Sequence, residues 1–518
     1  MEADPGWTSA WAAVILWPMS FADRAATATK RTEKSQELPR VLGAWSAASI
    51  LIGCIIGSGV FRKPSAIAQY LPSPGWILAC WVAAGFLSLI GSLVFAEMGC
   101  CYPNAGGQYT YLKESFGKFP AFLFGWTNLL IINSASIAAL VVFSAEHLFN
   151  LLPDALQPAP GSHWFQTVPV LMVAFLTVVN AVGVRWGAAV QNALTILKLA
   201  AIGLIIFGIF MPSKTNWSNF SPFWEVRGSP SGEALLAGFK GAFIAIFWAY
   251  DGWYLLSFSG AEIRNPRRNI PIGFILGILV VVGTYAAANV SYFCVIDVEE
   301  MKGITTQGGV AAEAALRLYG SIGITLIAVG LVGSTLGAAN GNILTGPRLS
   351  YAMARDGLFF PRFGDVHPRF LTPLFAIVVQ GIIGAAYVYC GTFDQLTDSV
   401  VFAAWVFYLF TVLGYFRLRR RYRERTDLFR APGYPVLPII FIVFAALFLV
   451  GAILDSAGSV SRYIEDPNAP GAADGIYPIL CVVMISLGLP VYWIVRKVAG
   501  NGKYAREAPG DDAAAPAP

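Results

Sequence analysis

Two ionisable residues, Lys198 and Asp251, lie near the centres of long apolar runs, and a third run is interrupted by Gly57, Ser58 and Gly59. An ammonium at the middle of a membrane helix is costly, so it is a functional residue by default. Lys198 lies far from both ends of the run 187–212, which leaves snorkelling little reach. Two roles fit it: a proton carrier that cycles, or a fixed internal cation standing where a transported sodium ion would sit. Asp251 has three readings. It can pair with Lys198, cap a half-helix by accepting its N–H groups, or line a pocket that admits cationic substrates.

The interruption at 57–59 falls inside IGCIIGSGVF, residues 52–61, within an uncharged stretch from Val41 to Phe61. Three small residues in a row let the backbone leave helical geometry, which membrane depth tolerates only against protein, water or ligand. Close helix packing on the glycines is the plainer alternative. A second break is expected in FWAYDGW, where Tyr250, Asp251 and Gly252 lie near the centre of the run 241–261. Breaking a helix exposes donors at one half and acceptors at the other, with a partial charge of about half a unit at each. Such ends suit a zwitterion. A free amino acid would place its carboxylate on the amides near Ser58 and Gly59 and its ammonium on the carbonyls near Ile55 and Trp248, the dipole logic of transporters built from repeated halves.

The elements that hold these residues follow from composition. The chain has 518 residues, 56% of them hydrophobic and 13% charged, too apolar for a soluble surface. Charged punctuation divides it into twelve stretches of roughly 17 to 30 residues, each able to cross a bilayer. They lie near 41–61, 74–96, 119–145, 164–184, 187–212, 236–261, 270–296, 318–347, 371–393, 399–416, 431–454 and 475–495. Basic residues cluster on alternate sides, most densely in FRLRRRYRERTDLFR, residues 416–430, which predicts both termini in the cytoplasm of a multi-pass cell-membrane protein. The net charge of +5 then reflects anchoring at the inner leaflet rather than nucleic-acid binding.

The rest of the chain qualifies this frame. Seven cysteines lie in or beside spans, with neither metal-ligand spacing nor a disulfide framework, so no metal or cofactor is expected. Acidic Glu2 and Asp4 precede the apolar piece Trp11–Met19, which is too short to span and a poor signal peptide. Residues 96–117 predict a short interfacial helix, either a lever for an inner gate or a surface anchor, with Glu97 pairing an arginine. His147, His163 and His367 are expected in solvated loops, and no nucleophile–base constellation appears, which argues against an enzyme. Ser334 and Thr335, in GSTLGAANGN, offer hydroxyls to the cavity or to Lys198, or simply pack against the first span.

GCIIGSGVF, YDGW followed by IRNPRRNIP, and the connector after span eight together resemble the amino acid-polyamine-organocation superfamily. Within it the chain is most similar to the L-type amino acid transporters and bacterial alanine-serine-cysteine exchangers, over about residues 38–500. The resemblance implies an all-α membrane protein of the LeuT type, with inverted repeats at about 41–212 and 236–420, broken first and sixth helices, and peripheral helices at about 431–495. Residues 1–37 and 501–518 are expected to be disordered cytoplasmic tails. It implies substrate contacts from the Ser58 and Gly59 amides and the Ile55, Phe247, Trp248 and Tyr250 carbonyls, with Trp248 as an aromatic gate; Gly57, Ala249 and Asp251, within the two breaks, complete the expected site. It also implies Lys198 as the cation of a sodium-independent carrier, and Ser334 is expected beside it from the span-eight reading. The expected activity is exchange of neutral L-amino acids by alternating access; proton symport, cationic amino acid or polyamine antiport, and sensing without transport are the alternatives. Heteromeric members carry a cysteine between spans three and four; residues 146–163 contain none, so no disulfide-linked heavy chain is expected.

Overall fold

The computed structural model describes residues 38–499 apart from 150, 154–156, 159–161, 229–230, 305–308, 391–392 and 466–476. Both expected terminal tails, and the Trp11–Met19 piece, lie outside the described residues. Among the described residues eleven helices are long and apolar enough to cross a membrane, and a twelfth apolar helix is shorter. The described residues contain no β-strand, only two isolated bridges, Leu42 with Ile263 and Ala105 with Ser259.

The first span is interrupted as the small residues require. Helix α1 (Ala44–Ile55) stops where Ile56 turns extended, and α2 (Gly59–Tyr70) restarts the helix. This span does not end at Phe61. It continues to Tyr70 because the cations that suggested a boundary find rings: the Arg62 guanidinium lies 4.7 Å from the Phe393 centroid and the Lys63 ammonium 5.5 Å. Helix α3 (Pro74–Cys101) forms span two. Helices α5 (Lys118–Thr127) and α6 (Asn133–Phe149) form span three around a π-helical turn at Asn128–Ile132. Before them, α4 (Gln108–Phe116) is no surface anchor, since Gln108, Tyr109, Thr110, Tyr111, Leu112 and Ser115 are buried.

Spans four and five are α7 (His163–Val182) and α8 (Val184–Phe207), joined at Gly183. Span six begins as α9 (Gly232–Tyr250) and resumes as a 3-10 turn at Trp253–Phe258 after Gly252 adopts a left-handed φ of 93°. Helix α10 (Pro266–Val295) is span seven. The small helices α11 (Val298–Lys302) and α12 (Gly309–Tyr319) precede α13 (Ser321–Thr345) and α14 (Pro347–Arg355), which make span eight. The stretch expected at 371–393 folds as the shorter α15 (Leu374–Tyr387), bounded by Pro373 and by turns at Val388–Cys390. At about 1.5 Å per residue it falls short of a roughly 30 Å hydrocarbon core. Helices α16 (Phe393–Arg421), α17 (Val436–Glu465) and α18 (Tyr477–Ala499) complete the chain.

The core lies where the broken spans meet. Helix α1 packs on α8, α10 and α13, and α2 packs on α9. An arm of residues 38–43 closes one face of the bundle, here called the arm face. Val41 and Leu42 donate to the Glu262 carbonyl, and Arg264 donates back to Leu42 at 2.8 Å. Glu262 itself pairs with Arg348 at 3.2 Å, both side chains without solvent exposure. Beside them Glu97 accepts from Tyr415, Arg419, Arg430 and the Ala431 amide, tying α3 to the end of α16. On the opposite face Arg227 holds Asp297 with two hydrogen bonds. Partial burial raises the Asp297 carboxyl, but those bonds outweigh it and hold it below the usual carboxylate range.

Candidate functional site

The two interruptions lie against each other. A methyl group placed on Gly59 would sit 2.4 Å from the Ala249 Cα, and one on Gly252 would sit 3.0 Å from the Cys54 carbonyl oxygen. Only glycine allows that approach. Between them is a narrow cavity of about 20 Å³. Of the residues singled out from the sequence, Ile55, Gly57, Ser58, Gly59, Trp248 and Asp251 line it.

Four donors and a set of acceptors define its polarity. The amides of Gly57, Ser58, Gly59 and Val60 donate no backbone hydrogen bond among the described residues. They form the positive end of α2, a ready seat for a carboxylate. The carbonyls at the end of α1 are instead held by side chains from three other spans. Lys198 donates to Gly53 O at 2.9 Å and to Ile56 O. Ser334 donates to Gly57 O at 3.0 Å and to Ile56 O at 3.2 Å. The Tyr285 hydroxyl is shared between Ile55 O at 3.2 Å and Ala249 O at 2.8 Å, so one group bridges the ends of both broken helices.

Lys198 and Asp251 form no ion pair among the described residues. Asp251 Oδ1 accepts from the Tyr408 hydroxyl at 2.7 Å, and its carboxylate also accepts from the Gly252 amide at the start of the 3-10 turn. Tyr408, on α16, thus supplies the partner that sequence reasoning looked for in Lys198. Lys198 sits behind the first break, turned to its carbonyls. Thr335 bonds its own helix at Leu331 rather than the cavity.

Phe247, Ala249 and Tyr250 do not line the cavity with their side chains. The Phe247 ring packs 4.2 Å from Trp405 in a cluster with Phe444 and Phe448, and Tyr250 packs against Trp81 and Tyr285. Trp248 turns inward, donating to Ser58 Oγ at 3.2 Å while its ring meets Phe393 edge-on. Phe393 also carries the Arg62 guanidinium, so aromatic and cationic groups close the face away from the arm. His147 is a correction: it is buried in α6, bonded through Nδ1 to Phe143 O, because that helix runs past the expected loop boundary. His367 accepts the Arg369 and Phe370 amides in the connector before α15.

Ser136, one of the polar groups of span three that read as interhelical bonds or cavity lining, lines the cavity, as do Cys54, Asn342 and Gly252, which were not assigned to it from sequence. Ser136 and Asn342 had a signal, being polar in apolar runs. Tyr285 and Tyr408 had none, since a tyrosine in a membrane helix usually reads as a packer.

A family model described as amino acid permease matches residues 42–468. The chain is 33% identical over 463 residues to the serine/threonine exchanger SteT of Bacillus subtilis (strain 168), covering 89% of this chain and 98% of that protein. It is 32% identical over 468 residues to the b(0,+)-type amino acid transporter 1 of Mus musculus, covering 90% of each. To the cystine/glutamate transporter of Homo sapiens it is 31% identical over 464 residues, covering 89% of this chain and 86% of that protein.

Proposed function

The chain belongs to the amino acid permease family, and from that premise we propose a sodium-independent exchanger of neutral L-amino acids that works by alternating access. Amino acid transport itself follows from the family. The finer reading rests on one observation above all: free amides at Gly57–Val60 face carbonyl-bearing helix ends across a single small cavity. The substrate carboxylate takes the amides. Its ammonium takes carbonyls at the ends of α1 and α9, in the region where Tyr285 now donates.

Lys198 supports sodium independence. Its ammonium reaches the carbonyls of the first break, where it can serve as a built-in cation. The arm face is read as cytoplasmic, from the basic residues along its loops, and both termini with it. The absence of cysteine from residues 146–163 supports a carrier without a disulfide-linked heavy chain.

Proteoliposomes test the proposal. Uptake of labelled alanine or serine should require amino acid inside and ignore sodium; uptake that needs a sodium or proton gradient, without internal substrate, would overturn it. Binding without flux would favour a sensor. Asp251 on the cavity wall supports a second reading, transport of cationic amino acids. Strong competition by lysine or arginine would select it.

A further inference from the structure

A second cavity of about 390 Å³ opens on the arm face, away from the substrate site. Its walls are Val41 of the arm, Val182 and Val184 at the junction of α7 and α8, Trp186, Phe370 and Leu371, with Arg185 as the charged residue. The walls are apolar, yet Trp186 is 65% and Leu371 39% exposed. Along α7, exposed Leu171, Phe175, Val178 and Val182 form a stripe at helical spacing that leads into this cavity. Such a stripe alone is ordinary lipid-facing surface. Its ending in a cavity beside uncompensated cations is not.

Arg185 and Arg369 are both exposed, and neither has a carboxylate partner among the described residues. Arg369 lies with its guanidinium 5.8 Å from the centroid of Phe370, a cavity wall. The positive end of α8 begins at Val184, another wall. Apolar walls continuous with a lipid-facing stripe, and positive charge at the rim, describe the two halves of one kind of molecule. We propose that this cavity binds an anionic phospholipid, its acyl chain along α7 and its phosphate at Arg185 and Arg369. The apolar cavity selects a lipid over free phosphate. Because the arm forms part of the wall and is hydrogen-bonded to Glu262 of span six, the bound lipid rests against the segment that closes this face.

The test is lipid retention by the purified full chain in native mass spectrometry, with phosphatidylglycerol and phosphatidylcholine of identical acyl chains. One phosphatidylglycerol should be retained in preference by about thirtyfold, the scale expected for two arginines near a lipid surface at about 1 kcal/mol each. R185Q combined with R369Q should bring the ratio near one at unchanged thermal stability, and V182W, at an exposed position, should weaken retention of both lipids. Equal retention of the two lipids, or a preference that survives the double substitution, would overturn the proposal. So would displacement of the lipid by inorganic phosphate at comparable concentration, which would identify a free-anion site. None of these readouts depends on transport.

Discussion

At the scale of single residues, the carbonyls at the end of α1 are shared unequally among their donors, and the inequality predicts an order of effects. Lys198 serves Gly53 O and also reaches Ile56 O with a charged donor, whereas Ser334 serves Gly57 O and shares Ile56 O through a neutral hydroxyl. Charge-assisted bonds run to about 1.5–3 kcal/mol against about 1 for neutral ones. Exchange in proteoliposomes should therefore fall at least about tenfold in Lys198→Met and only about fivefold in Ser334→Ala. Equal losses would mean that the lysine has no special claim on the break. Tyr285→Phe has a different signature. Its hydroxyl satisfies Ile55 O and Ala249 O in the empty site, so its removal should cost about 1 kcal/mol or more of stability without substrate. A bound ammonium can take over those carbonyls. The substrate-induced rise in melting temperature should then be larger in the variant than in the parent, by linkage; an unchanged rise would place the ammonium elsewhere.

At the scale of elements, the contact between α2 and α9 depends on a missing side chain. Gly59→Ala drives a methyl to 2.4 Å from the Ala249 backbone, which cannot yield as a flexible side chain would. Gly203→Ala, on α8, meets open space and serves as a control in a neighbouring span. The first should abolish exchange and lower the melting temperature by several degrees; the second should leave both near the parent, as size-exclusion profiles and flux can show. The same contact separates what the sequence reveals from what it conceals. Both breaks were legible, because Gly-Ser-Gly and Tyr-Asp-Gly are poor helix formers placed where hydrocarbon forbids loose backbone. The choice between Phe247 and Trp248 as the inward ring was not. Adjacent residues on α9 point about 100° apart, and only the packing of α16 and α17, through Trp405, Phe444 and Phe448, decides which one turns away. Helix ends failed for a related reason: charge marks the limit of an apolar run, but Arg62, Lys63 and His147 continue their helices once rings or carbonyls receive them.

At the scale of the whole molecule, the cavity is closed on both faces by different physics. Away from the arm, the seal is the Trp248–Phe393 contact at 5.8 Å with Arg62 over Phe393. Aromatic and cation–π pairs of this kind contribute about 0.5–1.5 kcal/mol each beyond burial. On the arm face the seal is the fully buried Glu262–Arg348 pair with the backbone bonds of Val41, Leu42 and Arg264 to the same turn. Removing one member of such a pair leaves the other charge uncompensated, at about 3–5 kcal/mol. Alternating access requires each seal to break while the other holds, so weakening one should expose the cavity from that face alone. Cys54 lines the cavity, is buried and is a free thiol, which makes it the reporter. In a background lacking Cys101 and Cys390, the two cysteines that are not buried, a membrane-impermeant thiol reagent should label Cys54 faster in Phe393→Ala when applied to the face away from the arm. Glu262→Gln should speed labelling from the arm face instead. The second change should be the larger, because the arm-side seal combines a buried ion pair with main-chain bonds and the other relies on ring contacts. Acceleration from both faces in either variant would show that the two seals are not independent, and a single rocking movement between them would have to be abandoned.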